Sequence, residues 1–188
     1  MISSEPIRRH IEVVRTARYF EIGDLDSPVD DLWFVLHGYG QSAREFAEPF
    51  NDYAAEGRLI VLPEALSRFY VSHEGPVIGA CWMTKEDRKS EIRDYIRYLN
   101  ALYQEVTGVS GVRNTRLTVL GFSQGTATAT RWLASGDVTA DRLILWGGAS
   151  CGRIDNERVC RSDEWRANPV CVRHTRQICV SESDGKDA

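Results

Sequence analysis

The hydrophobic pattern of the chain is dominated by four short, mostly apolar runs that end at polar residues, glycine or proline. The runs occupy residues 32–36, 59–62, 117–120 and 143–146. Apolar runs of this length are typical of strands that are buried on both faces of a sheet. We therefore predict four central, parallel strands.

Between these runs, apolar residues recur at the spacing of an amphipathic helix. The helical stretches cover residues 42–56, 85–107 and 124–134, and the first two are followed by the glycines that often end helices. Strands that alternate with helices indicate a parallel sheet with right-handed crossovers. The predicted fold class is thus α/β, with a mostly parallel sheet and helices on both of its faces.

Two further segments have a different pattern. Residues 11–23 alternate between apolar and polar positions and end in glycine, which predicts one or two antiparallel edge strands. Residues 64–84 are irregular and rich in glycine and aromatic residues. We expect this segment to be a long loop whose purpose goes beyond connecting two elements.

Composition and charge narrow the range of functions. The length of 188 residues suits one domain. The 27 acidic and 23 basic residues give a net charge of −4, so the composition does not indicate binding to nucleic acid or to an anionic membrane surface. No apolar run approaches the roughly 18 residues of a membrane span. The polar N-terminus lacks the pattern of a signal peptide, so we expect a cytoplasmic protein. No phosphate loop or G-x-G-x-x-G follows a predicted strand, and we expect no cofactor.

The chemically most informative motif is Gly121-Phe122-Ser123-Gln124-Gly125, which fits G-x-S-x-G between a predicted strand and a predicted helix. In this context the serine occupies a strained turn that exposes Oγ above the sheet. The glycines are needed because the positions two before and two after the serine press against neighbouring backbone. The motif predicts Ser123 as a nucleophile. The alternative is a glycine-bounded helix start that Ser123 merely caps.

A second turn, His37-Gly38-Tyr39-Gly40, follows an earlier strand of the same sheet. Loops at the carboxyl ends of neighbouring parallel strands meet over one crevice, so this turn is expected to face Ser123. The backbone N–H groups of Tyr39 and Gln124 are then the candidate donors to an oxyanion. His37 precedes the nucleophile in the chain, and we interpret it as a structural histidine rather than the catalytic base.

These motifs carry a resemblance to a known family. Leu-His-Gly-Tyr-Gly at 36–40, Leu-Ile-Val-Leu-Pro-Glu-Ala at 59–65 and Leu-Gly-Phe-Ser-Gln-Gly at 120–125 resemble the phospholipase/carboxylesterase family of α/β-hydrolases, which includes acyl-protein thioesterase-like enzymes. The resemblance implies an α/β-hydrolase sheet and the serine and oxyanion roles described above. It also implies that the loop containing Trp82 and Met83 lines the acyl pocket. Trp82 as an ordinary core residue is the open alternative.

The last 40 residues depart from that family. In α/β-hydrolases an acid and then a histidine follow the serine, but His174 is the only histidine after Ser123. We hypothesise that the true acid and base are encoded in another reading frame, after a frameshift near residue 150, and are absent from this chain. If the chain is active as it stands, His174 must act as the base, with Asp155 or Asp163 to orient it.

The same tail holds four of the five cysteines, spaced 9, 11 and 8 residues apart, without the C-x-x-C pair of zinc sites. We therefore expect no metal site. We divide the chain into a hydrolase domain, 1–148, and an atypical tail, 149–188, with the C-terminal strands of the sheet missing or replaced.

The function predicted from these features is hydrolysis of a small carboxylic ester or thioester through an acyl-enzyme on Ser123. The alternative is a non-catalytic acyl-binding protein, or an inactive hydrolase that lacks the acid and the histidine.

Overall fold

A computed structural model describes residues 6–24, 27–72, 75–108, 112, 115–148, 159–160 and 177–181. These ranges contain three α-helices, which are α1 (Ala43–Ala47), α2 (Arg88–Gly108) and α3 (Gln124–Ala134), and a 3-10 helix over Glu48–Tyr53. The strands are β1 (Tyr19–Ile22), β2 (Asp31–Leu36), β3 (Arg58–Pro63), β4 (Ser67–Tyr70), β5 (Ile78–Cys81), β6 (Arg116–Phe122), β7 (Arg142–Trp146), β8 (Val159–Cys160) and β9 (Gln177–Ser181).

The main sheet has the strand order β1-β3-β2-β6-β7-β9-β8. The four apolar runs of the sequence form β2, β3, β6 and β7, and each of these strands is parallel to its neighbours within the group. β1 pairs with β3 in the antiparallel direction at the edge of the sheet. The predictions of a mostly parallel sheet and of an antiparallel edge strand are confirmed.

Helix α3 coincides with its predicted range of 124–134, and α2 lies within one to three residues of the predicted bounds 85–107. The predicted helix over 42–56 is wrong in its second half, where α1 is followed by the 3-10 helix. Pro49 stands at the start of that helix. Because proline lacks an N–H and its ring crowds the preceding turn, a continuous α-helix cannot form there.

The segment 64–84, which we expected to be a loop, contains a small hairpin of β4 and β5. The pairing runs from Ser67 opposite Cys81 to Tyr70 opposite Ile78. These strands have only four residues each, which is too short for an apolar alternation to stand out from the aromatic residues and glycines around it.

Beyond β7, the sheet continues into the C-terminal tail. β9 pairs with β7 in the parallel direction, with Ser181 opposite Trp146, and β8 pairs with β9. Two strands of the tail thus occupy this side of the sheet, in agreement with the expectation that the C-terminal strands are missing or replaced. Strand pairing uses backbone groups, so it does not require the leucine-rich pattern of the central strands. The short apolar patch at 170–172 lies outside the described residues, and the division at residue 148 remains a prediction.

Two apolar clusters cover the two faces of the sheet. The larger one packs α2 and α3 against the sheet and contains Phe34, Tyr95 and Trp132. The smaller one packs α1 and the 3-10 helix against the other face, around Phe46 and Phe50. Because β2 and β6 are parallel neighbours, the loops that follow them lie at the same edge of the sheet. None of the described helices combines the length and the hydropathy that a bilayer crossing needs.

Candidate active site

Ser123 occupies the single-residue turn between the end of β6 and the start of α3. Its backbone angles are φ 50° and ψ −113°, and a non-glycine residue at positive φ costs on the order of 1–3 kcal/mol. The turn is held by the Ser123 N–H, which donates to the Trp146 carbonyl oxygen at 2.9 Å, and by the Ser123 carbonyl oxygen, which accepts from the Thr126 hydroxyl at 2.7 Å. Such strain persists only where surrounding contacts enforce it, and it is common at functional sites.

The glycines on either side of Ser123 have the close backbone contacts that the motif predicts. A Cβ atom on Gly121 would lie 2.4 Å from the Gly125 carbonyl oxygen, and one on Gly125 would lie 2.2 Å from the Leu36 carbonyl oxygen. Both distances are far shorter than any van der Waals contact. The steric prediction for these positions is confirmed, since β2, β6 and α3 meet too closely for a side chain.

The alternative role of Ser123 as a conventional helix cap is wrong. The Ser123 side chain makes no capping hydrogen bond to α3, and its backbone lies outside the extended region that a cap residue adopts. Its hydroxyl is therefore not committed to stabilising the helix.

The turn after β2 faces Ser123, as predicted. A Cβ atom on Gly38 would lie 3.2 Å from the Cβ atom of Ser123, so the two loops touch at this point. The Gly38 N–H donates to the side-chain oxygen of Gln41 at 2.7 Å, which closes the turn. In the part of the chain that the structure describes, no group accepts a hydrogen bond from the N–H of Tyr39 or of Gln124. Their role as oxyanion donors stays a prediction.

His37 is fully buried, and both of its ring nitrogens have partners. Nδ1 lies 2.7 Å from the Gly38 carbonyl oxygen, and Nε2 lies 3.0 Å from the Ala65 N–H. Nε2 must therefore accept and Nδ1 must donate, which assigns a neutral ring. Burial lowers the pKa of His37, and the Gly38 carbonyl and the Glu64 carboxylate offset only part of that effect. His37 is a structural histidine, and its interpretation as something other than the base is confirmed.

Trp82, which we placed in the pocket wall or in the core, has a side chain that is only 3% exposed and packs in the larger cluster. Its indole N–H donates to the His37 carbonyl oxygen at 2.9 Å. These contacts favour the core alternative. Met83 is partly buried, with its sulfur 3.4 Å from a guanidinium nitrogen of Arg131. A role of either residue in an acyl pocket remains a prediction.

The side chain of Gln124 makes contacts that the sequence reasoning missed. Its oxygen accepts from the Trp82 N–H at 2.9 Å, and its amide nitrogen donates to the Met83 carbonyl oxygen at 2.7 Å. The sequence motif points only to the backbone N–H of this residue. The signal available in the sequence was the amide side chain itself, which carries both a donor and an acceptor that a partly buried position must satisfy.

The predicted base and acids, His174, Asp155 and Asp163, lie outside the described residues. Within the described ranges, no three His, Cys, Asp or Glu side chains come together in a way that could hold a metal ion. Cys81 is a free thiol there, buried beside Met83 and Gln124.

With this geometry in place, comparison with known proteins identifies similar molecules. Residues 17–158 match the model of a family described as phospholipase/carboxylesterase. A comparison with curated protein sequences found no match.

Three solved structures are similar in fold. The first is acyl-protein thioesterase 2 from Zea mays, which has 17% identity and a TM-score of 0.52. The second is esterase PE8, which has 19% identity and a TM-score of 0.54. The third is YahD in complex with malic acid, which has 12% identity and a TM-score of 0.56. The aligned region covers 71% of this chain for the first two and 92% for YahD. The chain spans only 62% of the length of the thioesterase and 65% of the length of the esterase. It spans 92% of the length of YahD. At these identities the likeness concerns the fold, which is that of an α/β-hydrolase.

Proposed function

This chain belongs to the phospholipase/carboxylesterase family of α/β-hydrolases, and from that premise we propose that it hydrolyses small carboxylic esters or thioesters through an acyl-enzyme on Ser123. Two of the structures with the same fold are an acyl-protein thioesterase and an esterase. Their names support the ester and thioester class of substrate.

The observation that carries the proposal is the contact between the strained turn at Ser123 and the turn at Gly38. Ser123 has φ 50° between β6 and α3, and a Cβ atom on Gly38 would lie 3.2 Å from its own Cβ. A serine held in this way presents its hydroxyl at the edge of the sheet, beside backbone N–H groups of two different loops. That combination is the arrangement that acyl transfer needs.

The proposed reaction has two steps. In the first, Ser123 Oγ attacks the carbonyl carbon, a general base takes the hydroxyl proton, and the C–O or C–S bond breaks as the alcohol or thiol leaves with that proton. In the second, water attacks the acyl-enzyme, and the carboxylic acid and the free serine are released. Both steps pass through a tetrahedral oxyanion.

The N–H groups of Tyr39 and Gln124 are the proposed donors to that oxyanion. Gln124 begins α3, an 11-residue helix whose dipole places partial positive charge at this end. Backbone donors are rigid, so they lose little energy to reorganisation when negative charge develops. Removal of one such donor typically costs about 3 kcal/mol in transition-state stabilisation.

The general base is the part of the proposal that rests on residues outside the described ranges. His37 cannot serve, because Nε2 already accepts the Ala65 N–H and Nδ1 donates to the Gly38 carbonyl. Our hypothesis is that a frameshift near residue 150 has removed the true acid and base from this chain, which predicts codons for an acid and a histidine in the neighbouring frame. If the chain is instead active as it stands, His174 must act as the base, with Asp155 or Asp163 to orient it. Sequencing of the gene beyond codon 150 separates the two.

A serine-directed fluorophosphonate tests the proposed function on the purified 188-residue chain. We expect stoichiometric labelling of the wild type and of Ser135→Ala, a control at the other end of α3, and no labelling of Ser123→Ala. Before labelling, the wild type and Ser135→Ala should also hydrolyse p-nitrophenyl butyrate, and Ser123→Ala should not. If the folded wild type neither labels nor turns over the ester, the proposal is overturned, and the chain is a non-catalytic acyl-binding protein or an inactive hydrolase that lacks the acid and the histidine.

A further inference from the structure

We infer that the side chain of Gln124 is a positioning residue that clamps the segment after β5 against α3, and so holds the two turns that carry the oxyanion donors at a fixed spacing. This inference rests on the proposed function for its catalytic meaning. Its structural part, the clamp itself, stands on contacts between described residues.

The clamp is a two-point contact between one side chain and two consecutive residues. The Gln124 oxygen accepts from the Trp82 N–H at 2.9 Å, and its amide nitrogen donates to the Met83 carbonyl oxygen at 2.7 Å. A weaker contact runs from the same nitrogen to the Cys81 sulfur at 3.5 Å. The amide thus satisfies one backbone donor and one backbone acceptor at the same time. This pairing determines which end of the amide carries the oxygen.

The same segment is tied on its other side to the turn after β2. The Gly40 N–H donates to the Ala80 carbonyl oxygen at 2.9 Å, and the Ala80 N–H donates to the Gln41 carbonyl oxygen at 3.1 Å. The approach is tight, since a Cβ atom on Gly79 would lie 2.2 Å from the Gly40 carbonyl oxygen. β5 therefore cannot shift without moving this turn.

Together these contacts form a continuous bridge from α3 to the turn that contains Tyr39. The bridge runs from the Gln124 side chain through residues 81–83 and Ala80 to Gly40. Its two ends adjoin the two proposed donors, because the Tyr39 N–H lies one residue before Gly40 and the Gln124 N–H belongs to the clamping residue itself. A bridge of hydrogen bonds between the donors fixes their separation, and oxyanion stabilisation depends on that separation.

The chemistry of the contact explains why an amide is needed. Glutamate would keep the acceptor for the Trp82 N–H, but it would place an anionic oxygen against the Met83 carbonyl. Methionine has a similar length and would lose both hydrogen bonds. Gln104, an exposed glutamine in α2 whose side chain makes no hydrogen bond to another described residue, offers the matched control, because Gln104→Met is the same chemical change.

The test measures backbone amide exchange in the folded wild type, Gln124→Met, Gln124→Glu and Gln104→Met. We expect the Trp82 amide to exchange about tenfold faster or more in Gln124→Met, since it loses its acceptor. The Gly40 amide should accelerate by a smaller factor through the bridge. Gln124→Glu keeps the acceptor but is repelled by the Met83 carbonyl, so the Trp82 amide should exchange at a rate between those of the wild type and Gln124→Met. Gln104→Met should change neither amide.

Each outcome decides a part of the inference. If the Trp82 amide of Gln124→Met exchanges at the wild-type rate, the clamp is overturned. If the Trp82 amide exchanges faster but the Gly40 amide does not, the coupling of the clamp to the turn after β2 is overturned. In ester hydrolysis, we expect kcat of Gln124→Met to fall about tenfold with KM nearly unchanged, because a mispositioned donor acts on the transition state. An unchanged kcat overturns the catalytic consequence. An inactive wild type overturns the proposed function instead, and the exchange data still decide the clamp.

Discussion

The Nε2 atom of buried His37 accepts a hydrogen bond from the backbone N–H of Ala65 at 3.0 Å, across 28 residues of sequence. This bond joins the end of β2 to the residues that follow β3. It uses the only nitrogen of the neutral ring that can accept, because Nδ1 donates to the Gly38 carbonyl oxygen. Protonation of the ring would break this contact, so the turn that contains the predicted oxyanion donor depends on a neutral histidine.

The first prediction concerns pH. Burial lowers the pKa of His37 in the folded state, whereas in the unfolded chain the pKa is about 6.5. Below about pH 6.5 the unfolded chain therefore binds a proton that the folded chain does not, and the free energy of unfolding falls as the pH drops. Urea unfolding at several pH values between 7.5 and 5.5 should show this loss of stability.

The variant His37→Gln should have a shallower pH dependence over the same range, although it is less stable at pH 7.5. The control His10→Gln removes an exposed histidine that pairs with Asp87, and its free energy of unfolding should change with pH as much as that of the wild type. If the free energy of unfolding of His37→Gln also changes with pH as much as that of the wild type, another group causes the pH dependence.

The second prediction concerns the glycines around the candidate nucleophile. Gly125→Ala puts a Cβ atom 2.2 Å from the Leu36 carbonyl oxygen, so backbone must move. We expect a loss of roughly 3 kcal/mol or more in the free energy of unfolding. Gly108→Ala, at the end of α2, meets no atom within 4 Å and should change stability by less than about 0.5 kcal/mol. Similar unfolding midpoints in urea for the two variants would contradict the tight approach of β2 and α3.

The third prediction separates two tryptophans, the buried Trp82 and the partly buried Trp33. Trp82→Phe removes the indole N–H that donates to the His37 carbonyl oxygen at 2.9 Å and leaves a buried oxygen without that donor. We expect this change to cost about 1–3 kcal/mol of stability. The indole nitrogen of Trp33 is buried without a hydrogen-bond partner in the described structure, so Trp33→Phe removes an unsatisfied group. Chemical denaturation should find Trp33→Phe close to the wild type, and an equal loss in both variants would argue against this distinction.

The fourth prediction concerns the buried carboxylate of Glu64, whose side chain is only 1% exposed. It accepts from the Arg18 guanidinium at 2.6 and 3.0 Å and from the Ala43 N–H at 3.3 Å. Glu64→Gln should cost about 1–3 kcal/mol, because the buried site loses charge-assisted hydrogen bonds. The exposed pair of Glu12 and Arg97 gives a control, and Glu12→Gln should leave the melting temperature unchanged. If Glu64→Gln leaves the free energy of unfolding unchanged, the desolvation cost of the carboxylate cancels the stabilisation that its hydrogen bonds provide.

The regular elements could be predicted because their signal is local. The apolar runs 32–36 and 117–120 lie inside β2 and β6, and the apolar spacing of 124–134 gave the bounds of α3. The hairpin of β4 and β5 could not be predicted, because its place depends on hydrogen bonds between Ala80 and the turn after β2. No repeat or alternation within 64–84 encodes that pairing.

The candidate site likewise combines features that are encoded locally in the sequence with features that depend on distant residues. Gly121-Phe122-Ser123-Gln124-Gly125 predicts a strained serine without reference to any distant residue, since strand, turn and helix follow one another directly. The neutral state of His37 and the clamp by Gln124 depend on partners 28 and 42 residues away. Such contacts form only when separate elements dock.

The chain's own pattern thus specified a parallel α/β sheet and a serine in a glycine-flanked turn, because burial of apolar runs and backbone sterics act between neighbours in sequence. Tertiary structure decided that Gly38 touches Ser123, that His37 is committed to Ala65, and that the side chain of Gln124 binds the segment after β5. The physical reason is that a hydrogen bond requires its donor and acceptor within about 3 Å. Only the packing of β2, β5, β6 and α3 brings these groups that close.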